Sequence, residues 1–168
     1  MRNKIMTIIE SLTASDILVL TNQTYVEELI SDDIAECSKW LELNFFNSNF
    51  INMKFTGSAI ADCKFENCKF ENVIFERCEF WSSTFLNCKF ENCNLRRASF
   101  STGKFKNCNF INNNLRSSDF SETEFIETTF KDNNLYLALV AESKISNSKQ
   151  CIEIKKVSFL ESFLESFL

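Results

Sequence analysis

The chain has 168 residues, 45% of them hydrophobic, with a formal net charge of −5 and a sequence pI near 4.9. That length and apolar content suffice for one domain with a sizeable core and exclude a disordered polymer. Histidine is absent and Gly57 and Gly103 are the sole glycines, so no His-based site, phosphate loop or nucleophile beside a base is expected.

From the N-terminus, Ile5, Ile8, Ile9 and Leu12 share one helical face. Thr24 and Glu27 are spaced as a capping box ahead of Val26, Leu29 and Ile30, and Ile34, Cys37 and Leu41 would continue the pattern. This predicts a helical cap over residues 1–42. It carries 3 basic and 8 acidic residues, which concentrates the acidity of the chain there. The run Ile5 to Ile9 is short for a signal peptide and is followed by Glu10, and no apolar run reaches the ~20 residues of a membrane span. A cytoplasmic location without a membrane span is therefore expected.

From Leu43 to Leu137 one large apolar residue returns every fifth position. All 19 multiples of five from 45 to 135 obey: Ile60, Leu95, Leu115, Leu135 and Phe at the other 15. Five steps turn a helix by about 140°, scattering these residues around it, and an odd step alternates them across a strand. The chain must instead bend by a fixed angle after each unit, which is a solenoid. Two residues after the centre, Asn47, Asn52, Asn67, Asn72, Asn87, Asn92, Asn107 and Asn112 come in pairs separated by two units without Asn. A 20-residue period thus overlies the five-residue one, with four units per coil.

Units such as Cys-Lys-Phe-Glu-Asn at 63–67, 68–72 and 88–92 resemble those of the pentapeptide-repeat family, over roughly 43–142. The resemblance implies an all-β fold: a right-handed, four-sided β-helix of about five coils, its central residue and the residue two before it pointing inward. Residues 43–145 would form it, leaving 146–168 as a C-terminal segment. Composition agrees, since 14 of the 19 sites two before the centre are Ser, Cys, Ala, Gly or Thr, as a narrow interior already holding four large side chains per layer requires.

Equivalent residues of successive coils should stack about 4.8 Å apart, placing Phe65, Phe85, Phe105 and Phe125 in one core column. The Asn columns fall at the bends, where Asn tolerates left-handed backbone. Cys63, Cys68, Cys78, Cys88, Cys93 and Cys108 occupy the small inward site at multiples of five, unlike zinc spacings of two to four, and read as buried reduced thiols. No metal or other cofactor is expected.

Sorted by wall, Arg77, Arg96, Arg97 and Arg116 lie on the side built on Phe55, Phe75, Leu95 and Leu115, opposed by Glu76. The adjacent side, built on Ile60, Phe80, Phe100 and Phe120, carries Asp62, Glu79, Asp119 and Glu122 with an outward Trp81. The remaining sides mix Lys with Glu. These two adjoining walls, one basic and one acidic, are the candidate interaction surface.

After Leu137 the five-residue pattern weakens and fails at Gln150. Phe159, Leu160, Phe163, Leu164, Phe167 and Leu168 then recur every four residues behind a Ser158–Glu161 capping box, which predicts a short amphipathic helix. Such a helix is marginal alone and must dock, either on the last coil near Leu135 and Val140 or on a second copy as a homodimer. The expected role is a non-enzymatic, rigid scaffold for another protein. Several relatives in the resembled family are described as DNA mimics that shield type II topoisomerases such as gyrase, which is the alternative. Residues 43–142 carry 11 basic and 12 acidic residues, too near neutrality for a duplex mimic. Direct nucleic-acid binding is not expected of so acidic a chain.

Overall fold

The computed structural model describes residues 19–21, 24–26, 29–31, 36–148, 151–154, 158–160 and 164. Over these residues the backbone winds as an all-β right-handed solenoid of about five turns. Parallel strands from successive coils pair in register. Lys64–Glu66 pairs with Thr84–Leu86, then Lys104–Lys106 and Glu124–Ile126, placing Phe65, Phe85, Phe105 and Phe125 opposite one another. A second ladder runs through Asn49–Ile51, Lys69–Glu71, Lys89–Glu91, Asn109–Ile111 and Thr129–Lys131. The other two walls are built mostly from single bridges, such as Ile74 to Asn94 and Glu79 to Ser99.

The bends explain this difference. Every fifth residue from Cys37 to Glu142 has φ between +47° and +71°, a left-handed setting that most side chains resist. On the Phe55 and Ile60 walls, the central carbonyl also closes a tight turn: Ser58 N–H to Phe55 O at 2.9 Å, Cys78 to Phe75 at 3.1 Å and Ser83 to Phe80 at 3.2 Å. Strands there are cut short. On the described Phe45 and Phe50 walls no such bond closes the bend, and Asn residues fill it, bonding to each other along the axis: Asn67 Nδ2 to Asn47 Oδ1 at 3.1 Å, Asn87 to Asn67 and Asn107 to Asn87 at 3.0 Å. The paired Asn signature of the sequence thus marks the two walls with full strands.

The interior is a packed aromatic column. Phe90 and Phe110 lie 4.6 Å apart with planes within 2°, while Phe85 meets Phe90 of the next wall edge-on at 5.4 Å and 65°. Both arrangements suit the ring quadrupole. The small inward site does more than fill gaps. Its side chain donates to the carbonyl of the central residue one coil back: Cys63 Sγ to Trp40 O at 3.3 Å, Ser83 Oγ to Ile60 O at 2.9 Å, Asn113 Nδ2 to Phe90 O at 3.0 Å and Thr123 Oγ1 to Phe100 O at 2.9 Å. Ser, Thr, Cys and Asn are interchangeable there because each fits a compact donor into the space.

Two expectations need correction. The helical reading of residues 1–42 fails wherever they are described: Val19–Thr21, Thr24–Val26, Leu29–Ser31 and Lys39–Leu41 are strands. They pair in register with the coil above, Tyr25 opposite Phe45, Ile30 opposite Phe50, Leu20 opposite Trp40 and Trp40 opposite Ile60. Thr24, the expected cap residue, is itself in a strand. Leu20, Tyr25, Ile30 and Trp40 continue the five-residue series, so stacking on an existing coil outweighs the weak helical spacing. Ile5, Ile8, Ile9 and Leu12 lie outside the described residues.

The expected C-terminal helix likewise does not begin at Ser158. Ser158–Phe159 runs antiparallel to Leu139–Val140, and Cys151–Ile154 runs antiparallel to Ser143–Ser146. Unpaired edge groups of the last coil bond to these strands, which a capping box cannot offer. Leu160 is buried in the core cluster and donates its N–H to Ala138 O at 2.9 Å, and Leu164 packs partly buried against the same cluster. Phe163 and Phe167 lie outside the described residues. No helix among the described residues is long and apolar enough to cross a membrane.

Candidate interaction walls

Each wall presents the residues just before and just after its central side chain, plus the bend residue. On the Phe45 and Phe50 walls, four lysines are neutralised by glutamates within or between coils, while Lys106 and Lys131 pair with no carboxylate among the described residues. Lys64 pairs with Glu66 at 2.8 Å, Lys69 with Glu71 at 2.5 Å and Glu91 at 3.7 Å, Lys89 with Glu91 at 2.7 Å and Lys104 with Glu124 at 2.6 Å. Lys69 and Lys89 stack directly, and the shared Glu91 relieves their repulsion. Hydrogen bonding from Lys89, with Lys69 adding to it, holds the Glu91 carboxyl below its usual range.

The arginine wall is different. Glu76 is taken by Arg96, Nη1 to Oε1 at 3.0 Å, and by Asn94 Nδ2 at 3.4 Å. Arg77, Arg97 and Arg116 are exposed and pair with no carboxylate among the described residues. Arg77 and Arg97 occupy successive bends at φ +59° and +58°, tied into the ladder by Arg77 N to Arg96 O and Arg97 N to Arg116 O, both 3.0 Å. The Arg116 guanidinium lies over the ring of Tyr136, 5.0 Å from its centroid. Tyr136 is 57% exposed and is not among the expected surface residues, although it stands one coil after Arg116 in the same outward column. The structure brings the four arginines onto one corner and the wall beside it.

The acidic wall is less concentrated. Asp62 and Glu122 sit at bends of the same column, but Ser82 and Thr102 separate them. Glu79 and Asp119 share the other column with Ser99 between them. Asp119 Oδ1 is occupied locally, accepting from Ser121 N at 2.9 Å and Ser121 Oγ at 2.6 Å. Trp81 stands 48% exposed, its carbonyl accepting from Asp62 N at 2.9 Å. The outward columns around it hold Ala59, Ala61, Ser99 and Ser101, so Trp81 projects from a shelf of small side chains. A third exposed group, Tyr136, Leu137 at 41% and Phe159 at 49%, lies at the C-terminal end.

Of the six cysteines in the described core, Cys68 and Cys108 are lowered by hydrogen bonding with Cys88 between them, while the other four are raised by burial. Burial pushes the Cys63, Cys78 and Cys93 thiols up to about 12. Cys88, between Cys68 and Cys108, is also raised, chiefly by burial and then by hydrogen bonding with those two thiols. Cys37 and Cys151 are exposed.

The family model for pentapeptide repeats matches residues 63–101 and 93–132, with 8 copies. Residues 63–132 are pentapeptide repeats. Its fold resembles that of a solved pentapeptide repeat protein from the thylakoid lumen of Arabidopsis thaliana, at 16% identity and a TM-score of 0.50, covering 56% of this chain and 65% of that one. This pentapeptide-repeat chain therefore spans somewhat less than two-thirds of that relative's length. A pentapeptide repeat protein from the cyanobacterium Cyanothece 51142 matches at 12% identity and a TM-score of 0.42, over 69% of this chain and 82% of that one. QnrB1, a plasmid-mediated fluoroquinolone resistance protein, matches at 18% identity and a TM-score of 0.32, over 73% of each chain. No curated protein matches.

Proposed function

We propose that this pentapeptide-repeat chain is a non-enzymatic, rigid scaffold that contacts another protein through the corner between its arginine and acidic walls. The observation that carries the reading is the contrast in pairing. Lys64, Lys69, Lys89 and Lys104 are neutralised by the chain's own glutamates, whereas Arg77, Arg97 and Arg116 are not, among the described residues. Exposed arginine and tryptophan are also the side chains that most often anchor protein interfaces. The buried thiols suit a reducing compartment, which supports a cytoplasmic setting within this reading.

Affinity capture tests it, using wild type, the double variant Trp81→Ala/Arg97→Glu, and Lys64→Ala as control. Loss of the same bound protein from the double variant alone supports the contact wall. Retention of every bound protein by the double variant removes it.

The alternative is DNA-mimic protection or inhibition of a type II topoisomerase. It needs a strongly negative rod, and residues 43–142 come to 11 basic against 12 acidic. Adding purified protein to gyrase supercoiling and drug-induced cleavage reactions separates the readings, because a dose-dependent change in either would favour the mimic. A homodimer through the C-terminal segment is compatible with the scaffold reading, supported by exposed Phe159 beside buried Leu160. Light scattering on the intact chain and on one lacking residues 157–168 tests this. A monomer mass for the intact chain rules the dimer out.

A further inference from the structure

We propose that the ridge formed by Arg77, Arg97 and Arg116 seats an acidic helix of the partner protein, with carboxylates one turn apart. The inference rests on the scaffold reading in taking this corner as a contact surface, and adds the chemistry of what binds there.

Among the described residues, cations stack on the Phe50 wall, as Lys69 over Lys89, and at the arginine corner, as Arg77 over Arg97 and Arg96 beside Arg116, and the two places are treated differently. Lys69 over Lys89 is relieved by Glu71 and Glu91. Arg77 over Arg97, with Arg116 one coil further in the adjoining column beside Ser117, has no such relief among the described residues, since Glu76 is held by Arg96 and Asn94. Like charges stacked on neighbouring strands repel, so this ridge gains most from an anion supplied from outside. Lys106 does not share this property, because its column neighbours are Leu86 and Ile126. The ridge is also built in place: Arg77 and Arg97 spring from backbone locked by ladder bonds of 3.0 Å, and Arg116 is steadied on Tyr136.

Spacing selects the partner. Coils rise about 4.8 Å, so Arg77, Arg97 and, in the adjoining column, Arg116 span roughly 10 Å along the axis. On a helix, residues at i, i+3 or i+4, and i+7 advance about 5 and 10 Å along one face. An extended segment advances about 6.6 Å per alternate residue and falls out of step by the third. Guanidinium pairs bidentately with carboxylate, which fits this register. A nucleic-acid duplex carries charge on a much broader surface, and would overlie Glu79 and Asp119 on the neighbouring wall.

The test uses fluorescence anisotropy with a labelled, alanine-based helical peptide bearing glutamates at i, i+4 and i+7. A second peptide of the same composition has them at i, i+2 and i+4. Expected are preference for the first peptide, weakening with salt, and at least a tenfold loss with Arg77→Gln/Arg97→Gln/Arg116→Gln. Lys64→Gln/Lys69→Gln/Lys104→Gln should stay within about twofold, and both variants should melt as wild type does. Equal binding of both peptides, unchanged binding by the arginine variant, no binding at all, or tighter binding of a duplex oligonucleotide would each overturn it. A protein captured through Trp81 while the ridge ignores the helical peptide would sink this inference and leave the scaffold standing.

Discussion

Phe85 lies parallel to Phe105, ring centroids 4.8 Å apart and planes within 3° of each other. The same relationship repeats along each Phe column, so one truncation removes contacts with the coils above and below as well as with the neighbouring wall. Phe85→Ala should cost about 3–5 kcal/mol, read as a shift in the midpoint of chemical denaturation. A shift no larger than that of a surface substitution would contradict the stacked core.

The Asn87 bend separates backbone from side-chain effects. Asn87 sits at φ +53° and takes part in two axial amide bonds, to Asn67 and from Asn107. Asn87→Gly keeps the backbone easy and loses the bonds; Asn87→Ala loses both advantages. Alanine should therefore be worse than glycine by about 1 kcal/mol, measured by thermal or urea denaturation of the two variants side by side.

Leu137 has φ +59° and is 41% exposed, combining an unfavourable backbone setting with poor burial. Leu137→Asn or Leu137→Gly should raise stability by about 1 kcal/mol. Destabilisation by both would mean that the leucine is covered by something in solution, and sedimentation of the variant would show whether that is a second copy.

Thiol reactivity follows burial. A neutral-pH thiol reagent should label Cys37 and Cys151 quickly in the native protein, and all eight cysteines after denaturation. Rapid native labelling of Cys78 or Cys93, whose thiols burial raises to about 12, would show that the core opens.

The Glu91 carboxyl is held low in the folded chain by Lys89 and Lys69. A depressed folded value means its stabilisation is present above the unfolded value near 4.5 and is lost as pH falls through the folded one. Glu91→Gln should slightly narrow the gap between melting temperatures at pH 7 and pH 3. An unchanged gap would show that this exposed pairing contributes nothing measurable.

How far the sequence reaches depends on the range of the interaction. The five-residue series and its fourfold overtone named the core, the bends and the column partners, because each coil repeats the same local geometry and buries its Phe against the next. The arginine corner is legible by counting positions, and so is Tyr136 beside Arg116 once its column is followed one coil further.

What the repeat left open was settled by contacts that no local pattern records. Around Leu20, Tyr25, Ile30 and Trp40 the signature survives only as Asn22 two after Leu20 and Ser38 two before Trp40, and their neighbours mimic helical spacing. Their strands form because a finished coil offers unpaired N–H and C=O groups to bond. Ser158–Phe159 adopts a strand for the same reason, against Leu139–Val140. Whether a surface charge is paired depends on side chains one coil away, as with Glu76 taken by Arg96. Sequence alone determined the coil and its interior, because both follow from a period. The tertiary structure decided where the coil begins and ends and which arginines stay uncompensated, because edge bonding and pairing between coils act across space.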